Sequence, residues 1–427
     1  MRRDIKFVLL IIVLMGVSCI APEGSSNPTK SALSAYKHLP KNKLYPQGRI
    51  FPFFGYSGDP QREKAHNYTV AGPQYGRYDF ALEQAEKVGL PHMYTIGIKM
   101  NFHKKGGKPV LDISDAEITR RITEQVKRVV HKKSICWWYV HPEEIRYWRS
   151  KEINYLKIVT EAIRAADPEN RPLWMYEPNS RNASALEKTS RYLDIIGKGT
   201  YVNLSGYQKS RVWVRWSIEQ QEKTIKALGK GMSIAVLELC KNSPNEGIAA
   251  IPAQVQHDIY LSLMSGAKGI GIWSLFRRTA VSAQYDIFYM SYARAAKQLC
   301  GEQQLGQVFL FGKENKSIKL QQTGGPKTVR LISSRNKIEP LTSEKEQNVK
   351  YPLYPTLSTK EIDYDGGKYL FICNSAEKSL EVRAFLGKSK SKAEVMNLLN
   401  FRKYKTDASG NLKLSLRAYE VICLKVK

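Results

Sequence analysis

Between residues 49 and 299 the chain repeats one pattern: a short run rich in β-branched and aromatic residues, then apolar residues at helical spacing, then another such run. The runs are 49–56 (RIFPFFGY), 67–74 (NYTVAGPQ), 92–98 (HMYTIGI), 135–140 (ICWWYV), 172–176 (PLWMY), 193–201 (LDIIGKGTY), 233–237 (SIAVL) and 269–276 (GIGIWSLF). Their near-continuous apolar character suits strands buried on both faces, as in a parallel sheet covered by helices. Eight strand–helix units over this length predict an α/β fold, a (β/α)8 TIM barrel spanning residues 43–300. So few residues separate the first two runs that helix one must be short or absent. From residue 301 the helical period fades. Short strand-like runs at 308–310, 317–320, 329–332, 369–373, 380–385, 393–398, 412–416 and 418–426 alternate with Gly, Asn, Asp and Lys clusters, which predicts an all-β antiparallel sandwich over 301–427. Residues 337–355 read as a loop.

The N-terminus carries Arg2, Arg3 and Lys6 ahead of an apolar run at 7–17 and a small residue, Ser18, before Cys19. That run is too short for a spanning helix and has the order of a signal peptide over 1–18. Cys19 after Gly-Val-Ser resembles a bacterial lipidation site, with 19–42 forming a lipidated cysteine and tether. Export follows, with an outer-membrane lipoprotein facing the periplasm or cell surface as the expected location. The chain has 67 basic and 39 acidic residues, a net charge of +28. A charge of that size draws polyanions. For an exported chain the partner is an acidic polysaccharide or an anionic surface rather than nucleic acid. Six cysteines show no metal-ligand spacing, and Cys373 and Cys423 read as small buried hydrophobes in preference to a disulfide. Seven histidines contain no HExxH, so no metal is expected.

In parallel α/β architectures, side chains from several strands converge at the C-terminal strand ends. Glu143 and Glu144 follow the fourth strand through His141-Pro142, with a helix expected directly behind them, and Glu238 follows the seventh. Retaining glycoside hydrolysis needs one carboxyl group to protonate the leaving oxygen and a second to attack the anomeric carbon. Strands four and seven face each other across a barrel mouth and can place two carboxyls on opposite sides of a sugar. Glu177, ending strand five, competes as a third carboxylate.

The stretches WWYVHPEEIRYW, RPLWMYEPNSR and GKGTYVN look like exported bacterial proteins related to β-galactosidase-like barrels, and the arrangement over residues 43–300 resembles the clan-A superfamily of retaining glycoside hydrolases. The resemblance implies an acid/base at the end of strand four and a nucleophile at the end of strand seven. Glu238 takes the second role; Glu143 takes the first when WYVHPE is aligned on the strand-four pattern, and Glu144 takes it if the helix starts one residue earlier. Pro142 stands where clan members usually have an Asn touching the sugar 2-hydroxyl. Tyr201 occupies the place of a tyrosine often bonded to the nucleophile. His141, Glu177, Asn203, Trp273, Arg49, Tyr75 and Arg181 are the remaining substrate-binding candidates, and the cationic ones suit an acidic sugar. The expectation is an exported glycoside hydrolase that cleaves a poly- or oligosaccharide by retaining double displacement without a cofactor. The alternative is a barrel without catalysis that binds carbohydrate as a surface or periplasmic lipoprotein.

Overall fold

The computed structural model describes residues 51–98, 113–205, 210–240, 247–281, 283–332 and 352–426. The expected signal peptide, Cys19, the tether and Arg49 lie outside them. Seven parallel strands, β1 (Phe53–Gly55), β2 (His92–Gly97), β3 (Ile135–His141), β4 (Leu173–Glu177), β5 (Ile195–Gly199), β6 (Met232–Glu238) and β7 (Ile270–Trp273), form one sheet in the order β1-β7-β6-β5-β4-β3-β2. The expected strand at 67–74 is not a regular strand. Thr69 N–H donates to the Phe53 carbonyl on one side, while Ala71 N–H donates to Pro91 and Met93 N–H to Ala71 on the other. This segment is therefore the missing stave that closes the ring. Proline has no N–H to continue a ladder, and a Cβ on Gly72 would fall 1.9 Å from the Gly55 carbonyl oxygen, so the chain at Gly72-Pro73 crosses β1 too closely to extend the pairing. With that stave counted, β3 is the fourth strand of the barrel and β6 the seventh.

Helices follow the staves: α1 (Pro60–Ala65), α2 (Tyr78–Lys87), α3 (Asp115–Val129), α4 (Ser150–Ala166), α5 (Ala183–Ser190), α6 (Val202–Ser205), α7 (Trp213–Leu228), α8 (Gly247–Met264) and α9 (Tyr285–Cys300). Helix one is short, as the spacing required. The helix behind Glu144 starts at Ser150 rather than directly after the acid pair, because Glu144 adopts a φ of 59°, outside the right-handed helical region. Among the described residues no helix is long and apolar enough to cross a membrane.

The period-two alternation of the strands sorts the barrel interior from its helix-facing side. Trp137 and Tyr139 of β3, Trp174 and Tyr176 of β4, and Met232, Ile234 and Val236 of β6 share one buried cluster with Phe54 and Tyr56. Their alternates Trp138, Val140, Leu173 and Met175 pack outward against helices. Glycine makes room for these large rings: a Cβ on Gly199 would lie 2.6 Å from the Tyr176 hydroxyl. By the same alternation Glu238 points inward, in line with Val236, and Glu177 points outward, one residue beyond Tyr176.

Beyond the barrel, residues 305–311 form a helix, α10 (Leu305–Phe311), where a strand was expected at 308–310; Leu305, Val308 and Phe309 bury one helical face. The antiparallel region builds a four-stranded sheet from residues 313–315, 357–364, 367–374 and 421–426, and a three-stranded sheet from 319–324, 380–385 and 411–416. Leu370, Ile372 and Leu424 of the first sheet meet Val382, Leu414 and Leu416 of the second in one core, which makes a sandwich. The opposite face of the first sheet carries Phe371, which packs on Phe309 at 4.5 Å and Tyr260 of α8 at 6.2 Å between ring centroids. His257 of α8 bridges Asp258 at 2.8 Å and Ser375 at 3.0 Å, a buried polar tie between barrel and sandwich. The strand at 357–364 escaped the sequence reading because LSTKEIDY is mostly polar, and residues 353–355 of the expected loop pair as a short strand with 328–330. Cys373 and Cys423 are buried free thiols.

Candidate active site

The upper layer of the barrel interior is a floor of phenols. Tyr176 stacks on Tyr201 (6.1 Å), and Tyr201 on Trp273 (5.7 Å). Tyr56 lies against Tyr75, Tyr139 and Tyr176. Above this floor is a cleft of ≈ 600 Å³ lined by Glu143, Glu144, Tyr176, Tyr201, Trp273 and the loop residues 146–148 and 178–182, among others.

Glu143 stands two residues past β3 and is drawn over the barrel mouth by two tyrosines. Tyr75 hydroxyl donates to both its oxygens, at 2.9 and 3.2 Å, and Tyr139 hydroxyl donates to Oε2. Trp273 Nε1 in turn donates to Tyr75 at 3.2 Å, so the end of the last stave fixes the group that fixes Glu143. Burial raises the Glu143 carboxyl to about 7; the two phenol bonds work against that rise and the neighbouring Glu144 adds to it. Glu144 lines the same cleft, its N–H donating to the Tyr176 carbonyl at 3.3 Å.

Glu238 ends β6 on the interior face, paired in register with Trp273. It is 4 % exposed. Its carboxylate accepts from the backbone N–H of Asn203 and, at 2.9 Å, of Leu204. Burial lifts it to about 7, opposed by those two amides and by the Arg211 cation, while Asp258 reinforces the rise. Arg211 is held by a two-point bond to Asp258. The surroundings nevertheless differ in kind. Glu238 is offered fixed amide dipoles and a cation against the Asp258 carboxylate, whereas Glu143 is offered two neutral phenols against the Glu144 carboxylate, so only Glu238 has a cation on the side of its ionised form.

The other expected residues divide. Tyr201, Trp273 and Arg181 line the cleft with Glu143 and Glu144, and Tyr75 joins them through its bonds to Glu143 and Trp273. The Tyr201 hydroxyl is engaged with Tyr176, and the bonds to Glu238 come from main-chain amides instead. Asn203 is fully buried beside Glu238, and among the described residues neither polar atom of its side chain has a partner. His141 points to the interior at the end of β3, with its Nδ1 buried and, among the described residues, without a partner; burial lowers its pKa. Glu177 is fully buried on the helix side, salt-bridged to Arg181, and burial raises it to about 7. Outward register, not sequence position, separates it from the mouth.

Sequence reasoning missed Tyr139, Tyr56 and Tyr176. The available signal was period two: in ICWWYVH, Trp137 and Tyr139 share the face of His141. It also missed Asn179, whose side chain bonds the Tyr201 N–H and carbonyl, each at 3.1 Å, and the Trp213 indole at 2.8 Å, tying the ends of two staves to α7. Among the described residues no group of three or more His, Cys, Asp or Glu is placed to hold a metal ion.

The raised Glu238 carboxyl has a thermodynamic consequence. Above its unfolded pKa, near 4.5, the folded state holds a proton that the unfolded chain releases, so its contribution to stability is full below that pH and falls as pH rises toward about 7. The loss amounts to about 3 kcal/mol for this one group. Denaturation of wild type and Glu238→Gln at pH 4.5 and 8 should show a smaller loss of stability in the variant across that interval. Equal losses would contradict the raised pKa.

No family model matches the chain, and no curated protein matches it either. Solved structures do. A β-galactosidase from Bacillus circulans sp. alkalophilus aligns with a TM-score of 0.56 at 9 % identity, over 90 % of this chain and 100 % of that one. An AmyP variant in complex with maltotriose aligns at 0.52 with 10 % identity, over 91 % and 99 %. A noncanonic maltogenic alpha-amylase, AmyB from Thermotoga neapolitana, aligns at 0.50 with 11 % identity, over 90 % and 99 %. The chain thus shares with glycoside hydrolases a fold that extends through the barrel and the trailing β-region.

Proposed function

We propose that this chain is a glycoside hydrolase that works by retention, with Glu143 as acid/base and Glu238 as nucleophile. The observation that carries the reading is the pair of carboxyls at the C-terminal ends of the fourth and seventh staves, each held by its own donors, with Glu143 lining the cleft and Glu238 buried on the interior face of its strand. The shared fold with solved glycoside hydrolases supports it. In the first step Glu143 gives its proton to the glycosidic oxygen while ionised Glu238 attacks the anomeric carbon; the C–O bond breaks and a glycosyl ester forms. In the second step Glu143, now a carboxylate, takes a proton from water, the water oxygen attacks the anomeric carbon, and Glu238 leaves. Tyr75 and Tyr139 hold Glu143 in place through both steps.

The reading includes export through residues 1–18 and a lipid anchor at Cys19. Cys19→Ser should move the protein from the membrane fraction to the soluble fraction of a bacterial host; an unchanged distribution would remove the anchor from the account. The activity itself is tested on a panel of nitrophenyl glycosides, with NMR of the first-formed sugar. Release of product with the anomeric configuration of the substrate is expected. Inverted product would overturn the double displacement, and glycan binding without turnover would leave the barrel as a carbohydrate-binding protein.

A further inference from the structure

The loop between β3 and α4 carries more than the acid pair. It is pinned from within: Ile145 is fully buried, its carbonyl accepts from Arg181, and the Arg146 N–H and guanidinium both donate to the buried Glu152 carboxylate, at 2.8 and 2.6 Å. Tyr147 then lies under the Arg181 and Lys188 cations, at 5.4 and 5.3 Å from its ring centroid. Its ring meets Trp148 edge-on at 5.0 Å and 90°. Trp148 lines the same cleft as Glu143 and is 63 % exposed. A lone exposed indole means little by itself, but this one is held on an anchored loop at the wall of the cleft that contains Glu143, where its face is open to whatever enters.

The position of Trp148 says which contact. A general acid protonates the oxygen that departs, so the loop bearing Glu143 borders the side of the cleft that receives the leaving group. We infer that Trp148 is the stacking platform of a leaving-group subsite, taking the apolar face of a departing sugar. The natural substrate is then an oligo- or polysaccharide whose aglycone is itself a sugar, rather than a small alkyl or aryl glycoside. The inference rests on Glu143 as proton donor.

The test uses the full chain and the nitrophenyl glycoside that the wild type turns over. Maltose, cellobiose and lactose are added in turn as acceptors, and the ratio of transglycosylation to hydrolysis is read by chromatography. That ratio cancels effects common to both products, because each arises from the same glycosyl-enzyme. At least one disaccharide should give a transfer product with wild type, Trp148→Ala should lower the ratio about tenfold, and Trp148→Phe should restore most of it, as a stacked aromatic contact of ordinary strength requires. An unchanged ratio in Trp148→Ala, or no transfer to any of the three by wild type, would overturn the subsite while leaving hydrolysis intact. Absence of turnover of every glycoside would instead overturn the catalytic reading, and the subsite with it.

Discussion

Glu238→Ala is expected to lower kcat on an activated aryl glycoside by on the order of 10⁴- to 10⁶-fold, the scale of removing a nucleophile that acts as a unit with its partners. Sodium azide should then restore part of the rate and yield a glycosyl azide of inverted anomeric configuration, because the small anion would enter the space the carboxylate vacated. The interior register of β6 and its pairing with Trp273 put that space at the mouth of the barrel. The substitution also strips the acceptor from the Asn203 and Leu204 amides, so a drop in stability of about 1–3 kcal/mol accompanies the loss of rate. Circular dichroism separates the two effects: a variant that keeps the native spectrum and melts cooperatively, yet turns over at the wild-type rate, would remove Glu238 from the chemistry.

Glu143→Ala should produce a different pattern. General acid catalysis typically supplies 10²- to 10⁴-fold, so a glycoside with a poor leaving group, such as a disaccharide, should slow by about that much. A dinitrophenyl glycoside needs little protonation and should form the glycosyl-enzyme at nearly the wild-type rate, then stall for want of a base. A pre-steady-state burst of dinitrophenol is the signature. The alkaline limb of the wild-type pH profile, set by a carboxyl near 7, should vanish in the variant on the same substrate. If Glu144→Ala shows these behaviours and Glu143→Ala does not, the acid is Glu144 and the tyrosine clamp serves another purpose.

Much of this site was legible because strand ends announce themselves. ICWWYVH and SIAVLE are apolar runs that stop in a carboxylate or just before one, and a parallel barrel puts all such stops at one mouth. What could not be read locally depends on contacts distant in sequence. Tyr75 reaches Glu143 from 68 residues away, and Arg211 reaches Asp258 from 47. Asn179 links Tyr201 to Trp213 with no motif of its own. Helical spacing over 152–163 matches α4, but spacing shows where a helix can run and not that Glu144 turns to positive φ and sets the acid pair apart from it. The second stave was read as a strand because NYTVA carries the right residues; Gly72-Pro73 is the feature that decides its form.

Covalent trapping tests the central claim most directly. The wild-type protein is incubated with 2-deoxy-2-fluoroglycosyl fluorides matching the glycoside it hydrolyses, and the intact mass and peptic peptides are read by mass spectrometry. The account predicts one sugar added per chain, esterified to Glu238, and an addition that is absent from Glu238→Gln. Label on Glu143, Glu144 or Glu177, or steady hydrolysis with inversion and no trapped ester, would contradict it.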